Sequence, residues 1–284
     1  FAGKGKLVQA AVVAAGVLFN IILAWFLISA SFTAGLTASS RSVAAGTPFE
    51  NAKLVIEGVV PNSPAENSGL RAKDEVVAIT TSKDSLQLQS LTAESVRDFI
   101  AANEGEKIAV SYKRGGENMT AFAEPQKGIA GERPAIGIIM DTEGEIDLPI
   151  HKALWYGGKT TAYFTAETGK AVWNFFKDIL YGRADVSSVI GPVGLVGIVG
   201  EVYQFGFLNL LIFTALISIN LAIINLIPFP ALDGGRLLFI LIESIKGTPI
   251  SQRVTHTANA LGFIILILLM ILITWHDIAN LIAR

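Results

Sequence analysis

The sequence predicts a polytopic α-helical membrane protein with a small α+β domain inserted between its membrane segments. Hydrophobic residues make up 51% of the 284 residues and charged residues only 16%, a balance typical of membrane proteins. Apolar runs over 8–36, 208–227 and 261–275 reach or approach the roughly 20 residues that a bilayer-crossing helix needs. The stretch between the first two runs has the mixed, alternating texture of strands and short helices.

The first membrane segment is predicted within residues 1–40, followed by a linker at 41–50. Few polar residues interrupt its apolar run, Asn20 among them. The chain begins with Phe1 rather than Met, and no small-residue cleavage pattern follows closely. We therefore interpret the sequence as starting within a longer protein, with a processed mature form as the alternative.

Residues 51–127 are predicted to form a domain of their own. Ser63 and Pro64 are typical of a helix N-cap and a first helical position, and Thr92 is predicted to cap a second helix. Strands are predicted over 54–60, 73–79, 107–112 and 119–123.

The run from Ser63 to Leu70, followed by the strand at 73–79, resembles a bacterial-type PDZ domain. That resemblance implies an α+β, PDZ-like fold in which an extended peptide, a chain end or a loop, adds as a strand in a groove beside a helix. A small structural domain with an empty groove is the alternative.

The residues after this domain are predicted to lead back to the membrane. A Gly-rich, acidic linker is expected over 128–150. Aromatic residues and spaced lysines in 151–200 favour amphipathic helices at the membrane interface, and packing against the inserted domain is the alternative. The segment beginning Gly191-Pro192 is predicted to be a tight turn before the next membrane helix.

Asp233 stands at the end of the second membrane segment, predicted over 201–235. An uncompensated carboxylate at membrane depth costs roughly 2.5–3.5 kcal/mol on insertion scales, so such residues are retained mainly where they bind something. Pro228 and Pro230 must break the helix just before it, and backbone opened in this way is tolerated only inside protein or beside a wet cavity. The break predicts a functional site, and ordinary Asp-Gly-Gly turn chemistry is the alternative.

The distribution of basic residues predicts the orientation. The positive-inside tendency assigns to the cytoplasm the N-terminal end and the loop at 236–258, which precedes the last membrane segment at 259–284. The basic residues concerned are Lys4, Lys6, Arg236, Lys246 and Arg253. The inserted domain is then extracytoplasmic, and Asp233 is expected near the cytoplasmic side.

Composition also limits the partners. The net charge of -2, with no basic stripe, argues against nucleic acid, and the lipid bilayer is the expected environment. The chain has no cysteine, which excludes disulfides and thiolate metal sites.

The order of these segments resembles the site-2 protease family of intramembrane zinc metalloproteases, of the bacterial regulator-of-sigma-E protease type with one PDZ domain. Nearly all 284 residues take part. The most specific match runs from Asn225 to Gly235 and looks like the family's N-x-x-P-x-P-x-L-D-G segment. Gly191-Pro192 begins a Gly-Pro-x-Gly match, and Ala15–Asn20 resembles A-G-P-x-x-N, with Val17 where proline is expected.

The resemblance implies a role for each of these residues. Asp233 is the implied third ligand of a catalytic zinc ion, Asn225 is expected to hold the substrate backbone or scissile carbonyl, and Asn20 is expected near the same site. Simple hydrogen bonding between helices is the alternative for both asparagines. The motif-shaping residues are Pro228 and Pro230, which open the helix, Gly234 and Gly235, which permit close approach, and the turn residues Gly191 and Pro192.

One part of the family pattern is missing from the sequence. The H-E-x-x-H motif, which supplies two zinc ligands and the general base, does not occur. The three histidines, His151, His256 and His276, have no glutamate beside them and are expected to be solvated or interfacial. In the family this motif precedes the segment that matches Phe1, so the resemblance implies a C-terminal part that is inactive alone.

Three functions follow from these patterns. The first is an intramembrane zinc endopeptidase of the bacterial inner membrane that cuts a single-pass membrane protein. The second is a non-catalytic, membrane-anchored PDZ adaptor. The third and weaker one is a transporter that uses the broken helix as an ion site.

Overall fold

The computed structural model of the chain describes residues 5–82, 84–87, 92–183, 191–204, 206–248 and 250–282. Two compact units are present. Gly35–Asp147 forms a sheet unit, and Phe1–Ala34 together with Leu148–Arg284 forms a helical unit. Phe1 and Lys4, which entered the predictions of the start and the orientation, lie outside the described residues.

The elements follow the predicted alternation of membrane helices and an inserted α+β domain. In chain order they are α1 (Lys6–Thr33), β1 (Leu36–Ser39), β2 (Glu50–Val59), α2 (Pro64–Asn67), β3 (Glu75–Thr80), β4 (Ser85–Gln87), α3 (Ala93–Ala102), β5 (Ile108–Arg114), β6 (Glu117–Ala123), β7 (Gln126–Ala130), β8 (Arg133–Ala135), β9 (Ile138–Ile146), α4 (Ile150–Leu180), α5 (Pro192–Gln204), α6 (Phe207–Leu226), α7 (Asp233–Lys246) and α8 (Gln252–Ile282). Within the described part of the chain, three helices are long and apolar enough to cross a membrane: α1, α6 and most of α8.

In the helical unit, α1 is the helix against which α4 and α6 pack. Its residues Ala24, Ile28 and Phe32, spaced four apart on one face, are fully buried. The hydroxyl of Ser218 on α6 donates to the backbone oxygen of Asn20 over 2.9 Å. The indole N–H of Trp25 donates to the backbone oxygen of Leu154 on α4 over 2.8 Å.

In the region predicted as interfacial helices, 151–200, the described residues form α4, a helix of 31 residues, and the start of α5. The buried residues of α4 lie in its first half and include Gly157, where a side chain would collide with Ser29 of α1. The second half exposes large apolar residues, Trp173 and Phe176 among them. The predicted tight turn after it is wrong, since Pro192 is the first residue of α5, a position that proline favours.

The sheet unit is larger than predicted. Its main antiparallel sheet has the order β1-β9-β2-β3-β5-β6, with β4 on β3, and β7 pairs with β8. The predicted linkers at 41–50 and 128–150 are wrong in part, because β2 begins at Glu50 and 128–150 contains β8, β9 and most of β7. The domain predicted over 51–127 therefore extends over Gly35–Asp147.

The core of the sheet unit lies between the main sheet and α3. Val96, Phe99 and Ile100 of α3 are buried in one cluster with strand residues such as Ile56 and Ile108. The predicted caps are confirmed. The Ser63 side chain accepts the N–H of Glu66 at the start of α2, and Thr92 forms a capping box with Ser95 at the start of α3.

A buried ion pair joins β5 to the turn before β3. Arg114 donates from Nε and Nη2 to the two carboxylate oxygens of Asp74, each over 2.7 Å. The Asp74 side chain is 1% exposed and that of Arg114 is 30% exposed. The same carboxylate accepts the N–H of Arg71, and Arg114 also donates to the backbone oxygen of Gly69. The pair thus fixes the turn from 69 to 74 onto β5.

Asp141 on β9 holds the turn that follows β1. Its carboxylate accepts hydrogen bonds from the hydroxyls of Ser39 and Ser40 and from the backbone N–H groups of Arg41 and Thr142. Burial acts to raise the pKa of Asp141, but these donors outweigh it, so the pKa of Asp141 lies below its ordinary value. The interaction therefore stabilises the ionised form.

The sheet unit is expected to lose stability in acid through Asp141. Because the folded pKa is depressed, this contribution is complete above the unfolded value of about 3.9 and is lost as the pH falls through the folded pKa. Urea unfolding of the chain in detergent between pH 6 and pH 2.5 measures it. The Asp141→Asn variant should show a flatter pH dependence, and equal slopes would contradict the assignment.

Arg41 occupies the outer side of β9 next to this turn. On β2, the N–H and C=O of Ile56 pair with Asp74 and Lys73, on the side of β3. The residue opposite Ile56 is Met140, whose backbone groups must then point away from β2, towards the outer edge. There the Met140 oxygen accepts a hydrogen bond from Nη2 of Arg41 over 3.0 Å.

Candidate functional site

The helix break predicted at the two prolines is confirmed. α6 ends at Leu226 and α7 begins with Asp233, so that Pro228 and Pro230 lie in the connecting loop. The loop predicted over 236–258 is wrong in part, because α7 continues to Lys246. Two of the basic residues that predicted a loop, Arg236 and Lys246, lie on this helix.

The glycines after Asp233 allow the first turn of α7 to fold back onto that loop. A side chain at Gly234 would collide with the carbonyl oxygens of Leu226 and Ile227, and one at Gly235 would collide with that of Phe229. Both glycines are buried. Close approach of backbone to backbone, which was expected of these residues, is what the structure contains.

The loop has a strained residue that α8 supports. Ala231 has a φ of 77°, a left-handed conformation that costs a residue with a side chain of order 1–3 kcal/mol. Its N–H donates to Oδ1 of Asn259 on α8 over 3.1 Å. Gly262 follows Asn259 by three residues on α8. It packs so closely on Pro230 that a side chain at position 262 would collide with the carbonyl oxygen of Pro230.

Asp233 faces α1 at Gly16. A methyl group added to Gly16 would lie 3.6 Å from Oδ2 of Asp233. Asn20 lies one turn further along α1 and therefore on the same face, where its backbone oxygen accepts from Ser218. Asn225 follows Ser218 by seven residues, which is two turns along the same face of α6. The structure thus brings the segments of the A-G-P-x-x-N and N-x-x-P-x-P-x-L-D-G patterns to neighbouring positions.

One carboxylate is not by itself a metal site. A catalytic zinc ion takes three protein ligands and keeps a fourth position open. Among the residues that the structure describes, no group of three or more His, Asp or Glu side chains is placed to hold a metal ion. Asp233 fits the role of one oxygen ligand, and the residues around it do not complete the set. His151 and His256 are exposed, and His276 is half-buried.

Asp277 on α8 holds the start of α5. Its carboxylate accepts the N–H of Gly191 over 3.2 Å and that of Gly194 over 2.8 Å, and the residue is only 8% exposed. A negative charge at the beginning of a helix is favourable. Neither Asp277 nor Asn259 was predicted from the sequence, although an ionisable residue beside an apolar run is a signal that could have identified Asp277.

Two solved structures are similar to part of the chain. They are the PDZ domains of SdrC-like proteins from Listeria monocytogenes and Listeria innocua, at 21% and 24% identity. Each match covers 31% of this chain and, respectively, 86% and 92% of the other chain, with TM-scores of 0.26 and 0.25.

Relatives with assigned names match most of the chain. The zinc metalloprotease RasP of Oceanobacillus iheyensis is 35% identical over 83% of this chain and 54% of its own length. RasP of Shouchella clausii is 31% identical over 99% of this chain and 62% of its own length. A putative zinc metalloprotease of Staphylococcus aureus strain MRSA252 is 32% identical over 93% of this chain and 58% of its own length.

The chain therefore spans a little more than half the length of these relatives. The sequence profile of Peptidase family M50 matches residues 1–269. The chain belongs to Peptidase family M50, the family of the site-2 proteases that its segments resemble.

Proposed function

We propose that the complete protein is an intramembrane zinc metalloendopeptidase that cuts a single-pass membrane protein, and that Asp233 supplies one of its zinc ligands. The observation that supports this most strongly is the position of Asp233. The carboxylate follows a helix broken by Pro228 and Pro230 and faces Gly16 on a second helix that is apolar enough to cross the membrane.

The proposal takes the other two ligands and the general base from an H-E-x-x-H motif outside these 284 residues. The curated relatives are longer than this chain, and an oxygen ligand from Asp233 beside two histidine nitrogens is a common zinc environment. Residues 1–284 alone are then inactive, because a single carboxylate does not retain zinc and the proposed general base is not among them.

The residues of this chain have distinct tasks in the proposed reaction. Zinc, when bound, lowers the pKa of a water molecule and polarises the scissile carbonyl. Asp233 contributes negative charge at a fixed position, and the adjacent glycines keep that position by close packing. Asn225 and Asn20, on the facing sides of α6 and α1, donate hydrogen bonds to the backbone of a substrate segment that has lost its helical pairing.

The sheet unit is proposed to bind peptide. α3 lies beside β8 and β9, and Arg133 of β8 forms an ion pair with Asp98 of α3. An extended chain end or loop adds next to the first residues of β9, in the manner of PDZ domains. We place the protein in the bacterial inner membrane as a multi-pass protein, with the sheet unit outside the cytoplasm and Asp233 near the cytoplasmic side, in accordance with the basic residues.

Zinc content tests the proposed function. The complete natural protein, purified in detergent, is expected to contain one zinc ion per chain by mass spectrometry of the metal and to cut a single-pass substrate in proteoliposomes. Residues 1–284 alone are expected to contain no stoichiometric zinc, because only one ligand is present. A complete protein without zinc would favour the adaptor, which binds peptide through the sheet unit and needs no metal.

A further inference from the structure

We propose that Asn259 of α8 is a positioning residue for Asp233, acting through the loop that joins α6 to α7. This inference rests on the proposed zinc site and adds to it a residue that neither the sequence motifs nor the family resemblance identified. It begins from the loop itself, residues 227–232, which connects the broken helix to Asp233.

Backbone hydrogen bonds connect neighbouring residues of the loop, and a side chain of α8 supplies a further one. Phe229 N–H donates to the oxygen of Ile227, and Leu232 N–H donates to that of Phe229. The N–H of Ala231 instead donates to the side chain of Asn259. Ala231 is also the residue with positive φ, so the hydrogen bond from outside the loop is made at the position where the backbone is strained.

A strained conformation persists only when its surroundings hold it in place. Asn259 and Gly262 lie three residues apart on one face of α8, and the two contact consecutive loop residues, Ala231 and Pro230. Gly262 packs directly against the loop, and Asn259 holds it by a hydrogen bond. The loop is therefore attached to α8 at two consecutive residues.

The position of Asp233 depends on that of Ala231. Only Leu232 separates the two residues, and Leu232 is the N-cap of α7. If Ala231 relaxes to an ordinary negative φ, the direction of the chain entering α7 changes, and so does the direction of the Asp233 carboxylate. A metal ligand must be held within a few tenths of an ångström, and groups that orient ligands typically contribute 10–100-fold to metal affinity.

The experiment uses the complete natural protein and follows the metal rather than proteolysis. In Asn259→Ala, zinc release to a chelator is expected to be roughly tenfold faster, and the visible spectrum of the cobalt-substituted protein is expected to change. Asn259→Asp, which keeps an acceptor oxygen, should restore both. Thr257→Ala, at an exposed neighbouring position on α8, is the matched control and should behave as the unchanged protein does.

A second substitution separates positioning from general stability. Glycine adopts positive φ without strain, so Ala231→Gly should make the loop less dependent on Asn259. The loss caused by Asn259→Ala is therefore expected to be smaller in the Ala231→Gly background. If Asn259→Ala lowers thermal stability but leaves zinc release and the cobalt spectrum unchanged, the residue is only structural and the inference is wrong.

Failure of the inference can be told from failure of the proposed function. If Asp233→Asn loses zinc and Asn259→Ala matches the Thr257→Ala control, the zinc site stands and the positioning role does not. If Asp233→Asn retains zinc at full stoichiometry, Asp233 is not a ligand, and the proposed function and the inference are both overturned.

Discussion

Substitution of Asp233 by asparagine in the complete natural protein is expected to abolish substrate cleavage and to lower zinc affinity by more than about 100-fold. Loss of a group that only orients a ligand typically costs 10–100-fold, and loss of a ligand itself should cost more. The amide is close in size to the carboxylate, but it carries no charge to hold the cation. Metal content after dialysis against a weak chelator, and cleavage in proteoliposomes, measure the two effects.

The matched control is Asp178→Asn, an exposed aspartate of the helical unit at the end of α4. It removes the same charge and is expected to leave zinc content and cleavage unchanged. Full zinc stoichiometry in Asp233→Asn would show that Asp233 is not a zinc ligand. If neither the unchanged protein nor Asp233→Asn contains zinc, and both are fully functional, the adaptor is favoured.

The second large effect is expected in the sheet unit, from Arg114→Met. The substitution leaves the carboxylate of Asp74 buried without its cation. Because the Arg114 side chain is 30% exposed, we expect a cost of about 2–3 kcal/mol, below the roughly 3–5 kcal/mol of a fully buried pair. Hydrogen exchange followed by mass spectrometry reports on the sheet unit separately from the membrane helices. Protection of the core strands β3 and β5 should fall by roughly 30- to 100-fold, at about 1.4 kcal/mol per factor of ten.

Two further variants make this result specific. Arg97→Met removes an exposed arginine from α3 and is expected to change stability by no more than about 0.5 kcal/mol. Adding Asp74→Asn to Arg114→Met removes the uncompensated charge, so the double variant should be more stable than Arg114→Met alone. Additive losses in the double variant would show that charge burial is not the cause.

The helix break and the caps could be predicted because each follows from a local rule. Proline has no N–H to donate and its ring clashes with the preceding turn, so Pro228 and Pro230 end α6 whatever surrounds them. Ser63 and Thr92 satisfy the first N–H groups of their helices with their own side chains. These features need no knowledge of the tertiary structure.

The strand β9 could not be predicted because its stability comes from distant partners. Its sequence from Asp141 to Glu145 is charged and contains a glycine, which argues for a loop. In the structure the strand pairs with β1 on one side and β2 on the other, and the ionised carboxylate of Asp141 accepts hydrogen bonds from donors about 100 residues away. Pairing across such a separation leaves no local pattern in the sequence.

The residue that supports the loop before Asp233 was missed for a related reason. Asn259 accepts a hydrogen bond from a backbone N–H of that loop, and it belongs to no recognisable spacing. The motif residues identify where Asp233 lies along the chain, whereas α8 determines how the loop before it is held. That information exists only once the helices are packed.

Arg41 and Asp141 bind backbone groups at the edge of the sheet, and this decides where another strand can pair with β9. Beyond the end of β1, the Met140 oxygen is bonded to Arg41 and the Thr142 N–H is bonded to Asp141. A strand from another molecule finds neither group free, and open edges are the usual starting point for aggregation. Arg41 and Asp141 therefore close residues 140–142 of β9 to a further strand, and they confine the edge that is proposed to take peptide to the first residues of β9.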